Sequence, residues 1–127
     1  MGNVLRFTVD LIPITKKNNM RIAFNRGTGK PFILPSSKYV EYEQNALWFI
    51  PKNKHINEAV NVKCLFYMPT RRRVDLTNLL EAIDDVMVKA GLLEDDNFNI
   101  IAGHDGSRVL YDKEHPRTEV EITPMTE

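Results

Sequence analysis

The sequence predicts an α+β fold: a single domain spanning residues 1–127, with a mixed β-sheet and two main helices packed on it. Three observations predict it. Apolar and polar residues alternate in two separated segments, 5–11 and 60–68, as strands with one buried face do. Two other segments, about 37–50 and 76–90, carry apolar residues at helical spacing. The resulting order (strand, hairpin, helix, strand, helix, strand, strand) suits a mixed sheet with helices laid on it. The chain has 127 residues and 43% hydrophobic content, enough for one core and the usual size of one domain.

The first strand is Leu5, Phe7, Val9 and Leu11 alternating with Arg6, Thr8 and Asp10, ended by Pro13. Met20–Phe24 and Pro31–Leu34 flank the segment NRGTGK, and Gly27 and Gly29 suit a hairpin turn there. GTGK is no phosphate loop. Phe24 stands where that motif needs glycine, and Pro31 follows Lys30 where it needs Ser or Thr. Ser36 or Ser37 is placed to cap a helix running to about Ile50, with Tyr39, Tyr42, Ala46 and Phe49 as its core contacts. Lys52–Glu58 reads as a loop. Val60, Val62, Cys64, Phe66 and Met68 form the second alternating strand, ended by Pro69. Asn97–Gly103 is expected as a strand, His104–Pro116 as a polar loop, and Glu119–Thr123 as the last strand.

Between residues 76 and 90, Leu76, Leu79, Leu80, Ile83, Val86, Met87 and Ala90 fall within a sector of about 120° on a helical wheel. Gly91 then ends the helix. Measured from Asp75, Asn78 lies at about 300°, Asp85 at about 280° and Glu81 at about 240°. The wheel therefore groups Asp75, Asn78, Glu81 and Asp85 away from the core, and leaves Asp84 and Glu94 as surface charges. The helix is about 22 Å long, and an extended return from Gly91 to Asp96 covers at most about 17 Å. Asp96 reaches the N-terminal half of the helix only if the chain doubles back.

Charge is balanced overall but unevenly distributed. Lys+Arg and Asp+Glu are both 17, for a formal net charge of +0. Residues 11–40 contain no acid but carry Lys16, Lys17, Arg21, Arg26, Lys30 and Lys38. Residues 75–96 carry Asp75, Glu81, Asp84, Asp85, Glu94, Asp95 and Asp96 against the single base Lys89. Just before them stand Arg71, Arg72 and Arg73. Carboxylates hold divalent cations and arginines hold polyanions, so this segment has the groups that metal-assisted phosphodiester chemistry needs. Each also has an ordinary role: Asp75 or Thr77 as helix cap, Asp95-Asp96 as turn residues, the arginines as a solvated loop. Cys64, the one cysteine, excludes an intramolecular disulfide and a cysteine-cluster metal site. The N-terminus alternates like a strand rather than a signal peptide, and no apolar run spans a bilayer. A cytoplasmic protein with no membrane partner is expected.

The segment MPTRRRVDLTNLLEAIDDVMVKAGLLEDDNF resembles the RusA family of Holliday-junction resolvases. The Met-Pro strand end, the arginine run, an aspartate with Asn three residues on, an apolar helix ending Ala-Gly and an Asp-Asp pair occur in the family's order. Asn18, Asn19 and Arg21 and the terminal strands fit more loosely. The resemblance implies a small homodimeric α+β endodeoxyribonuclease that uses Mg²⁺, or Mn²⁺, to nick paired strands of branched DNA at four-way junctions. It carries catalytic acids onto Asp75 and Asp96. Two positions depart from the family pattern: Thr77 stands at its second aspartate and Glu81 at its catalytic lysine. The expected metal set is accordingly Asp75, Glu81 and Asp96, with Asp95 or Asp85 supporting them from behind. Arg71, Arg72, Arg73, Lys16, Lys17 and Arg21 are the expected DNA contacts. The alternatives are a non-catalytic branched-DNA-binding protein, a metal-dependent nuclease for flaps or RNA, and an interaction protein whose charges only face solvent.

Overall fold

The computed structural model describes residues 4–16 and 20–125. Lys17, Asn18 and Asn19 lie outside the described residues, as does the side chain of Arg21. Strand β1 (Leu5–Val9) pairs antiparallel with β7 (Arg117–Pro124), which pairs antiparallel with β4 (Val60–Met68). The far edge of β4 takes two short parallel strands, β5 (Ile101–Gly103) beside Val60–Asn61 and β6 (Arg108–Tyr111) beside Leu65–Met68. The expected hairpin stands apart as a two-stranded sheet, β2 (Met20–Phe24) with β3 (Pro31–Pro35). Asn25 closes its turn by accepting from the Gly27 and Thr28 amides, and Gly29 supplies a φ of 72°.

The alternation read from the sequence is the pleat of the central sheet. Val60, Val62, Cys64 and Phe66 of β4 are buried, as are Thr118, Val120 and Ile122 of β7. They form one core with helix α1 (Ser37–Ala46) and helix α2 (Leu76–Lys89). Ser36 caps α1, its hydroxyl accepting from the Tyr39 amide at 3.2 Å. Tyr39, Tyr42 and Ala46 face inward as expected. Phe49 does not: α1 stops at Ala46 and a 3₁₀ turn, Leu47–Phe49, follows. The tighter winding rotates Phe49 off the α-helical stripe, leaving it 36% exposed.

Two short strands depart from the expected pattern. Asn97–Ile100 is a turn rather than the start of a strand, and β6 lies inside the segment expected to be loop. Between β5 and β6 the chain leaves β4, and side chains take over the pairing. The Asn61 side chain bonds both the amide and the carbonyl of Asp105 (2.8 and 3.1 Å). The Cys64 amide donates to Ser107 Oγ (2.9 Å), and the Val62 carbonyl accepts from His104 Nδ1 (2.9 Å).

Helix α2 ends where expected, on Gly91 at φ 83°. The return path is then pinned to the loop before β4. The Ile56 amide donates to the Leu92 carbonyl (2.7 Å) and the Glu94 amide to the Ile56 carbonyl (3.0 Å). Leu92 and Leu93 are buried. This is the reversal that carries Asp96 back along α2.

Candidate active site

Helix α2 presents two polar edges. On one, Asp75 occupies the N-cap position in extended backbone but makes no side-chain cap bond. Its carboxylate instead accepts from Asn78 Nδ2 at 3.3 Å. Further along the same edge, Asp85 faces Lys16 at 3.7 Å. On the other edge, Thr77, Glu81 and Asp84 recur at spacings of four and three residues, one stripe of the helix. Thr77, Leu80, Glu81, Asp84, Asp96 and His104 line a shallow cavity of about 260 Å³. The structure thus brings Glu81 and Asp96 into one place, as expected, and leaves Asp75 out of that lining. Grouping Glu81 with Asp75, Asn78 and Asp85 needs correction: Glu81 opens to the Asp84 side of the helix.

Asp84 is the largest correction. Expected at the surface, it is only 8% exposed. On the wheel it stands at about 180°, just beyond the apolar stripe that ends at about 140° with Leu80. The returning chain from Leu92 to His104 covers that edge, so the buried arc is wider than the apolar one. One carboxylate oxygen of Asp84 meets His104 Nε2 at 3.0 Å. The other, Oδ1, is buried without a hydrogen-bond partner. Because the Val62 carbonyl can only accept, His104 Nδ1 carries its proton there, and Nε2 and Asp84 share the next one. Asp84 holds the His104 pKa above its ordinary value. Burial pushes the Asp84 carboxyl upward, partly offset by His104. No local pattern in the sequence announces this pair, because its two members lie twenty residues apart and meet only through the returning chain.

Asp96 is exposed, at the mouth of the same cavity. Its pKa is raised, first by partial desolvation and then by the hydrogen bond and negative charge of Asp95. Asp95 serves its own turn: one oxygen accepts from the Asp96 amide (2.7 Å), the other from Asn97 Nδ2 (3.1 Å). Asp95 therefore orders the loop that presents Asp96.

Among the described residues, no group of three or more His, Cys, Asp or Glu side chains is placed to hold a metal ion by itself. The cavity nonetheless has the donors that hard cations take, the oxygens of Glu81 and Asp96, with the unpartnered Asp84 oxygen behind them. Mg²⁺ characteristically uses one or two carboxylates and completes its shell with water and substrate phosphate. The residues present fit such an ion. They do not fit a fully protein-ligated centre.

The family model for endodeoxyribonuclease RusA matches residues 12–123. The chain belongs to the RusA family. It is 33% identical over 89 residues to the crossover junction endodeoxyribonuclease RusA of Aquifex aeolicus (strain VF5), covering 68% of this chain and 67% of that protein. Every acid and base expected at the site, from Lys16 to Asp96, lies within the residues that the family model matches.

The basic residues expected to contact DNA in this RusA-family chain fall into three sets. Arg71, Arg72 and Arg73 are exposed in the loop between β4 and α2, and none has an acidic partner among the described residues. Lys16 is already engaged with Asp85. For Lys17 and the Arg21 side chain, the described residues are silent. No helix is long and apolar enough to cross a membrane among the described residues.

Proposed function

We propose that this protein is a Mg²⁺-dependent endodeoxyribonuclease, with Mn²⁺ as an alternative ion, that resolves four-way DNA junctions by paired symmetric nicks. Homodimerisation, a role in recombination or repair and a cytoplasmic location belong to the same proposal. The observation that supports it best is the return of Asp96 to the N-terminal half of α2, where it shares a cavity with Thr77, Glu81 and Asp84.

The ion would be held by Asp96 and Glu81, with Asp75 at the helix start as a further carboxylate and Asp95 ordering Asp96 from behind. When bound, it supplies charge stabilisation at the phosphate and a water of lowered pKa. The chain's own residues do the rest. Arg71, Arg72 and Arg73 bind the backbone, with Lys16, Lys17 and Arg21 as further contacts. Thr77 offers a neutral hydroxyl where the family pattern has a carboxylate. The Asp84–His104 pair ties α2 to β4 and keeps one wall of the cavity fixed. Two copies related by a two-fold axis would offer two sites to the two strands of a two-fold junction.

A second reading has an observation in its favour. The lack of a three-ligand cluster among the described residues suits a branched-DNA-binding protein that does not cut. Incubation of labelled four-way junction, duplex and single strand with Mg²⁺ or EDTA separates the two. Paired nicks in the junction alone, abolished by EDTA, are expected. Tight junction binding without nicks in either condition would favour the non-cutting protein, and cutting confined to flaps or RNA would favour a different nuclease.

A further inference from the structure

Among the described residues, two arginines lie over tyrosine rings, and their surroundings differ. Arg117 sits over Tyr67, its Cζ 3.8 Å from the ring centroid. Its Nε donates to Glu119 (2.8 Å), and its Nη1 donates to Asp112 (3.0 Å) and to the His115 carbonyl (2.8 Å). Arg71 sits over Tyr111 at 4.3 Å. No carboxylate or carbonyl meets its guanidinium among the described residues. Stacking uses the face of a guanidinium and leaves its N–H edge free, the edge that matches a phosphate bidentately.

The platform is anchored in the sheet. Tyr111 is the last residue of β6, paired with Met68 at the end of β4, and the next amide, Asp112, donates to the Met68 carbonyl at 2.9 Å. Arg71 lies three residues beyond Met68, so both halves of the stack hang from the same strand end. Arg71, Arg72, Thr70 and Tyr111 help to line a cavity of about 340 Å³, separate from the acidic one. Tyr111 is 41% exposed and Val109 37% exposed at its rim.

We propose that the Arg71–Tyr111 stack is a phosphodiester clamp for the DNA backbone, with Tyr111 as the positioning residue that aims Arg71. This rests on the reading that the partner is nucleic acid. Arg117 on Tyr67 is the engaged counterpart, its Nε and Nη1 already held by Glu119, Asp112 and the His115 carbonyl. The ring face of Tyr111 does the positioning, since its hydroxyl has no hydrogen-bond partner among the described residues.

The test is fluorescence anisotropy of a labelled four-way junction and the matching duplex across an NaCl series, in EDTA so that nothing is cut. Arg71→Ala should bind about tenfold more weakly and lower the slope of log affinity against log salt by about 0.9, one phosphate contact. Tyr111→Ala should lose about three- to fivefold, and Tyr111→Phe should stay within about twofold of wild type. The double variant should bind no more weakly than Arg71→Ala, because the ring acts through the arginine. Thermal unfolding of each variant checks that the fold is intact. Wild-type affinity in Tyr111→Ala would overturn the clamp. So would a double variant whose loss is the product of the two single losses, or a Tyr111→Phe as weak as Tyr111→Ala. If duplex and junction are bound alike and Tyr111→Ala weakens both, the clamp stands and the junction reading falls. If wild type shows no salt-dependent binding to either, both fall.

Discussion

The two polar edges of helix α2 look alike in sequence and differ in three dimensions. The Asp75–Asn78–Asp85 edge carries the aspartate that the family pattern begins with, yet its groups are exposed or tied to local partners, Asn78 and Lys16. The Thr77–Glu81–Asp84 edge looks degraded by comparison with the family, yet it faces Asp96, His104 and a cavity. Position in a motif says which carboxylate is expected. The return of the chain decides which carboxylates meet. If the second edge holds the ion, with Asp75 reaching it only from the helix start, substitutions at Asp85 and on the second edge should have unequal effects.

The largest effect on folding should come from the buried pair. His104→Ala leaves Asp84 as an uncompensated buried carboxylate and should cost about 3 kcal/mol, read by urea denaturation. Replacing both residues by leucine should recover most of that loss, because two apolar groups need no partner. An equal loss in the double variant would show that shape, not charge, is at stake. For pH, the folded-state His104 pKa lies above 6.5. Its stabilisation is therefore complete below about pH 6.5 and is lost as pH rises through the raised value. Asp84, also raised, acts with the same sign from about pH 3.8 upward. The melting temperature of wild type should fall as pH rises above about 6.5, more steeply than that of Asp84→Asn.

On activity, Glu81→Gln should lower the rate of junction nicking about tenfold or more by removing a charged oxygen from the cavity. Wild-type nicking by Glu81→Gln would remove that residue from the site. At the small end, Lys16→Ala breaks a partly exposed 3.7 Å ion pair with Asp85. It should cost under about 0.5 kcal/mol in stability. A larger loss would mean that the first edge matters more than its exposure suggests.

What the sequence made legible follows from local physics. Alternation in residues 60–68 is the β4 strand itself, because a two-residue period is set by the chain's own pleat. Gly91 ends α2 because only glycine takes φ 83° without strain. The reversal toward Asp96 could be posed as a distance requirement, and the chain meets it. What was not legible depended on distant partners. Strand β6 is four residues whose pairing comes from β4, more than forty residues upstream in the chain. Asp84 is buried by a segment that its own helix cannot announce. Only the family resemblance separated Asp96 from Asp95 in the sequence; the turn adds a physical reason, Asp95 spending both oxygens on its own loop.

The proposed metal-dependent cutting would work from the cavity on the Asp84 edge. It is tested most directly by junction nicking in Mg²⁺ with Asp96→Asn and Asp85→Asn side by side. Asp96→Asn should lose about 100-fold or more in rate while still binding the junction, as loss of a charge-stabilising group at the reacting centre does. Asp85→Asn should stay within about threefold of wild type, since a partly exposed ion pair contributes little. Undiminished nicking by Asp96→Asn, or abolition by Asp85→Asn with Asp96→Asn active, would move the chemistry away from this cavity.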